Sequence, residues 1–229
     1  MSEIIPAVLN HFSLFTFRSS FYELPESRKV IFLEECLHVF RSVAQRFEIY
    51  QVFLTQTDAD FLVWYTSAVN NPPDAKDFFI SYAAAINPLR RFLNPVDTYW
   101  GFTKSSQYTK ARSSQEIDSL FGLRQPYLVL YPFAKTSDWY LMSREARQGM
   151  MNEHIRIGKS FSDIDQLLLY SFGLQDHEFV VVYEMPDMKE FSDLVYELRA
   201  SEARRFTLKD TPLVTAINHP AKEILDLWK

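Results

Sequence analysis

At 229 residues, with 47% hydrophobic, 16% aromatic and 23% charged residues, the chain has the composition of one large or two small packed units and is too apolar for disorder. Its 24 basic and 29 acidic residues leave a formal net charge of -5, which supplies no general attraction to phosphate backbones or anionic lipid and speaks against nucleic acid or a membrane as partner. The lone Cys36 rules out an internal disulfide, no uncharged apolar run nears the roughly 20 residues a bilayer requires, and neither G-x-G-x-x-G nor G-x-x-x-x-G-K-[ST] occurs.

The elements follow in chain order. The MSEIIPAVLN start lacks the basic residues and unbroken apolar run of a secretory signal, so a cytoplasmic location is expected. HFSLFTFR (His11 to Arg18) alternates as a half-buried strand does. From about Glu26 to Arg46 a helix is predicted after Pro25, with Val30, Leu33, Leu37, Phe40 and Val43 spaced by threes and fours. FEIYQVFLT and DFLVWYTSA read as strands, NNPPDAKD opens a helix near Asp74 to Phe92, and VDTYWGFTK is a further strand. After the polar SSQYTKARSSQEID, PYLVLYPF is a strand and SREARQGMMNEHIRIG a helix whose Ser143 can cap a free N–H. DIDQLLLYSFG and EFVVVYEM are strands, MPDMKEFSDLVYELRASEA a helix, and RFTLKDTPLVTA an extended end. The order βαββαβ occurs twice. The expected class is α+β, with two tandem ferredoxin-like modules over 1–110 and 111–229 whose antiparallel sheets pack together.

Two constellations in the second half hold chemistry-bearing residues. Arg147, Met150, Met151, His154 and Gly158 share one helix stripe. His154 there is either a packed histidine or a single protein ligand. Zinc is poorly supported, since one Cys and the scattered His11, His38, His177 and His219 make no ligand set, whereas haem needs only one protein nitrogen. Upstream, YPFAKTSDWY gathers Tyr131, Trp139 and Tyr140 about Lys135. Such rings are more often core packing than redox groups, and a lysine is most often a surface charge.

The runs YPFAKTSDWYLMSREARQGMMNEHIRIGKSF, YSFGLQDHEFVVVYE and ELRASEARRFTLKDTPLVTA resemble the chlorite dismutase-like family, which includes coproheme decarboxylases of bacterial haem synthesis. The strong match covers about Pro126 to Ala216; the first half agrees in element order alone. The resemblance implies His154 as the haem-iron ligand, Tyr131 as the redox-active tyrosine, Lys135 as its aid at the reacting propionate, and Trp139 beside the haem. It also implies a ring-shaped homopentamer. Aligning back from Gly173 puts Gln166 at the distal position, and counting forward from His154 gives Leu167 instead. Either way no arginine lies between Lys159 and Gln175, so chlorite dismutation, which relies on a fixed guanidinium, is disfavoured. Some decarboxylases carry a distal histidine that KARSSQEIDS lacks. Arg204 and Arg205 suit propionate carboxylates, and Glu197 or Glu202 the second imidazole nitrogen. The implied activity is peroxide-dependent conversion of iron coproporphyrin III to haem b. The alternatives are a haem-binding relative with weak peroxidase or sensing activity, and a non-enzymatic ferredoxin-like oligomer.

Overall fold

The computed structural model describes residues 7–109 and 113–229 and divides into two compact units. One comprises 1–103, 119–121 and 215–229, the other 104–118 and 122–214. The start of KARSSQEIDS lies outside the described residues. Both units are α+β with antiparallel strand pairing. Among the described residues no helix is long and apolar enough to cross a membrane.

The first unit runs β1 (Ala7–Phe17), α1 (Ser19–Tyr22), α2 (Glu26–Val43), β2 (Arg46–Gln51), β3 (Phe61–Val69), α3 (Pro72–Ile86), a 3-10 turn (Asn87–Arg91) and β4 (Leu93–Thr103). Its sheet order is β4-β1-β3-β2, with His11 opposite Tyr65 and Trp100 in the central strand. α2 buries Phe32, Leu33, Cys36, Phe40 and Val43, so the inward stripe is turned slightly from the expected one, toward Phe32 and Cys36. α3 starts in a capping box: the Asp74 carboxylate accepts the Asn71 backbone N–H at 2.9 Å, and Pro72 fixes the first helical φ. β1 is buried on both faces rather than half-buried. Leu9, Phe15 and Phe17 join the helix-side core, while Phe12 packs on Trp64 at 5.0 Å and Asn10 Oδ1 accepts the Trp64 indole N–H at 2.9 Å.

The second unit contains β5 (Tyr127–Lys135), α4 (Ser137–Leu141), α5 (Arg144–Lys159), β6 (Asp165–Tyr170), β7 (Phe179–Met185), α6 (Met188–Arg199), a 3-10 turn (Glu202–Phe206) and β8 (Thr207–Lys209). Its sheet order is β6-β7-β5-β8. Ser143 caps α5, its hydroxyl accepting the Ala146 N–H at 3.2 Å, and Asp187 caps α6 through the Lys189 N–H at 2.7 Å. Val129, Val181, Tyr183 and Met185 line the sheet face that packs on Ile157, Phe191 and Leu194. The opposite face holds a buried ion pair, Arg124 to Glu184 at 3.1 Å, with Arg124 also donating to the backbone oxygens of Asp118 and Gly122.

One boundary differs from the sequence expectation. RFTLKDTPLVTA is not one extended end of the second module; it breaks into the 3-10 turn, β8 and β9 (Val214–Asn218). β9 pairs with β2, Tyr50 opposite Asn218, and α7 (Ala221–Asp226) sets Ile224, Leu225 and Trp228 into the first unit's core. The apolar side chains of that tail find their burial there, and so 215–229 belong to the first unit.

Candidate functional site

Strand alternation places Tyr131 and Gln166 on one face of the second unit's sheet. Tyr131 and Phe133 share the face of Val129 on β5, and Tyr183 lies on the same face of β7, directly opposite Val129 and Gln166 in the ladders. Gln166 therefore faces the α5 and α6 side with its neighbour Leu168, whereas Leu167 is buried on the opposite face. The backbone of Gln166 is fixed on both sides, its N–H donating to Gln115 O at 2.7 Å and its carbonyl accepting from Ile117 at 3.1 Å. Gly173, at φ 69°, makes the left-handed turn that returns the chain from β6 to β7.

Tyr131 and Tyr183 stack with ring centroids 6.2 Å apart. Burial raises the pKa of both phenols; their mutual interaction partly offsets this at Tyr131 and adds to it at Tyr183. Tyr183 does not stand out in the sequence, because EFVVVYEM has the pattern of an ordinary buried strand. Its period-2 position relative to the partner of Tyr131 is the one available signal.

Lys135 ends β5 with its ammonium 4.6 Å from the Trp139 ring centroid, donating to Ala203 O at 3.2 Å and Thr207 Oγ1 at 3.4 Å. Burial first, then the Arg204 charge, brings its pKa down to about 8, against an opposing pull from Glu178. Glu178, which nothing in the LQDHEF turn singles out, accepts the Lys135 backbone N–H at 2.7 Å and the Tyr140 hydroxyl, and so pins the end of the strand. Trp139 is buried on α4 against Phe206 at 5.9 Å and Tyr108 at 6.5 Å.

His154 is half-buried in the middle of α5. Burial and the Lys135 charge, countered by Glu153, lower its pKa to about 4, so the ring is neutral near pH 7. No described group hydrogen-bonds its ring. Neither Glu197 nor Glu202 fills the expected role: the Glu202 carboxylate pairs with Arg205 at 3.2 Å, and the Glu202 N–H donates to Glu153 at 3.2 Å. Both Glu197 and Arg205 are exposed, because their positions turn them to the solvent side of α6 and the 3-10 turn. Arg204 points the other way. It binds Asp210 at 2.6 Å, a carboxylate shared with Arg199 at 3.1 Å, and its charge is felt at Tyr131 and Lys135.

The second unit thus brings together a neutral imidazole with open nitrogens, a buried phenol stacked on a second one, a desolvated ammonium with a guanidinium behind it, and an indole. Arg205 stands apart from this group. The imidazole suits a metal of borderline softness, the cations suit carboxylates, and the rings suit a flat apolar body.

An α+β protein with this ring-rich, cation-backed histidine site has known counterparts. The family model described as Chlorite dismutase matches residues 29–219, and the chain belongs to that family. It is 30% identical over 169 residues to the coproheme decarboxylase of Mycolicibacterium smegmatis, covering 73% of this chain and 70% of that one. The coproheme decarboxylase of Staphylococcus carnosus is 28% identical over 165 residues, 65% of this chain and 64% of the relative. Among solved structures, chlorite dismutase from Candidatus Nitrospira defluvii in complex with imidazole superposes with a TM-score of 0.80 at 22% identity, covering 96% of this chain and 94% of that one.

Proposed function

We propose that the chain is a coproheme decarboxylase, converting iron coproporphyrin III to haem b at the expense of hydrogen peroxide. The observation that carries this reading is the His154 imidazole, neutral and without a hydrogen-bond partner among the described residues, on the same side of the sheet as the paired Tyr131 and Tyr183. The relatives named above support the reaction. The fit to an iron porphyrin is chemical: one open nitrogen for the metal, aromatic walls for the macrocycle, and cations for its propionates.

When bound, the iron porphyrin supplies the oxidising equivalents drawn from peroxide. His154 would hold the iron through a ring nitrogen. Tyr131 would lose a proton and an electron from its phenol and regain a hydrogen atom from the substrate's propionate. The Tyr183 ring, stacked on Tyr131 at 6.2 Å, keeps the phenol in place. Lys135 would leave Ala203 O and Thr207 for the propionate carboxylate, exchanging bonds from a cation to neutral oxygens for one between opposite charges. Arg204, held by Asp210, adds positive potential without itself being free to move. Trp139 backs the ammonium, and Gln166 offers a neutral amide where an arginine would place a fixed charge. Each propionate becomes vinyl plus CO2 with loss of two electrons, which one hydrogen peroxide accepts on its way to water. The family assembly as a homopentamer is part of this reading.

The test adds ferric coproporphyrin III and peroxide to the full chain and follows product mass. Loss of two CO2 is expected, and a fully loaded protein that releases none refutes the proposal. Tyr131→Phe should bind the substrate with unchanged affinity and yield no haem b; normal turnover removes the tyrosine from the chemistry. Tight haem b binding with no preference for the coproporphyrin would favour a sensing or peroxidase role instead.

A further inference from the structure

A groove of about 410 Å³ opens in the first unit, walled by Tyr22, Gln51, Phe53, Asp60, Leu227 and Trp228, none of them shared with the site above. Among the described residues Asp60 is its one carboxylate, and no lysine, arginine or histidine lines it. The residue is only 6% exposed, and its Oδ2 is already engaged by the Phe17 backbone N–H at 2.6 Å and the Thr16 hydroxyl at 3.1 Å. Among the described residues nothing donates to Oδ1. Gln51 is not that donor: its Nε2 donates to Phe53 O at 2.7 Å and its Oε1 contacts His219 Nε2 at 3.1 Å. Lys29 sits 6.0 Å from the centre of the Tyr22 ring and is not among the lining residues.

A largely desolvated carboxylate without a counter-charge is costly, and aromatic faces beside it attract cations. Tyr22 senses the same uncompensated charge, since burial and Asp60 together raise the pKa of its phenol. A bare divalent cation is a poor match, because one carboxylate falls far short of the six or more oxygens such ions gather. The rest of the wall is apolar: Phe53 is 41% and Leu227 56% exposed, and Trp228 closes the end.

We infer that this groove binds a small organic amine in its ammonium form, the charge on Asp60 Oδ1 and the hydrocarbon against Phe53, Leu227 and Trp228. The ammonium completes the carboxylate's hydrogen bonding and lies over aromatic rings, while the alkyl portion covers exposed apolar surface. A neutral analogue of equal size keeps only the last of these contributions.

The experiment titrates the full chain with n-butylammonium chloride and separately with n-butanol, following the Trp228 indole N–H resonance, which is identified by its loss in Trp228→Phe. A saturable shift is expected, with the ammonium binding about tenfold more tightly than the alcohol. Asp60→Asn, which keeps an oxygen for the Phe17 N–H, should abolish that preference. Equal affinities for amine and alcohol, no saturable shift, or an ammonium affinity unchanged in Asp60→Asn would overturn the inference. Should Asp60→Asn fail to fold, Tyr22→Ala at a half-exposed position is read instead: severalfold weaker ammonium binding supports the site, and unchanged binding refutes it.

Discussion

Replacing His154 with glutamine tests the electrostatics of the candidate site without any ligand. The imidazole titrates at about 4 in the folded chain against 6.5 in the unfolded one. Between those values the unfolded chain takes up a proton that the folded chain refuses. Stability therefore falls as pH drops from 6.5 toward 4, while above 6.5 both states are neutral and nothing is lost. At 1.36 kcal/mol per pH unit the interval corresponds to about 3 kcal/mol, which partial exposure of the ring trims to about 2. His11, buried and lowered to about 3, imposes a similar loss in both proteins, so the readout is the difference between wild type and variant. Urea unfolding at about pH 7.5 and about pH 4.5 gives the two stability curves. His154→Gln should gain about 2 kcal/mol on wild type between those conditions. Parallel curves would show that the ring is not held neutral, and the assignment of an open metal-ready nitrogen would fall with it. A ligand metal competes with protons only near pH 4, so coproporphyrin affinity should stay flat from about pH 7 to 5.5.

Two further outcomes follow from charges buried in the second unit. Arg124→Ala removes the ion-pair partner of Glu184, whose side chain is 1% exposed, and should cost about 3–5 kcal/mol in urea unfolding, whereas the double change Arg124→Met with Glu184→Met should recover most of it. Lys135→Met should stabilise the protein at pH 7 by about 1–2 kcal/mol despite losing the contact over Trp139, because the ammonium is held at about 8 against 10.5 when unfolded. That gain persists below pH 8 and fades by pH 10.5, which thermal melts at the two ends would show; a lysine that instead stabilises the fold at pH 7 would contradict the burial seen here.

Much of the architecture was legible wherever local chemistry dictates local structure. Ser143 announced one helix start through its hydroxyl and NNPPDAKD another, and the β-branched and aromatic runs announced strands. His154 and Lys135 were legible as a motif, and the structure adds that the ammonium depresses the imidazole. What stayed hidden depended on distant pairing. Nothing in TAIN says that it will lie beside Tyr50, and LDLW gives no hint of a core built by Phe17 and Phe61. Gln115, in what reads as a polar linker, donates to the carbonyls of Phe161 at 2.8 Å and Ile164 at 3.1 Å just after α5, a bond set that only tertiary placement reveals. Which of Gln166 and Leu167 faces α5 and α6 is likewise set by the ladder register, since a shift of one residue exchanges the faces.

The return of residues 215–229 to the first unit sets an order of events during synthesis. Trp228 rests 5.7 Å from Phe17, a contact that spans nearly the whole sequence. While the ribosome is still extending the chain, the early strands lack one edge partner and part of their apolar floor. The amino-terminal portion must wait, exposed, until translation delivers residue 228. A nascent polypeptide of this kind is a natural client for holding chaperones, and ribosome-stalled intermediates short of that tryptophan should be cut readily by protease.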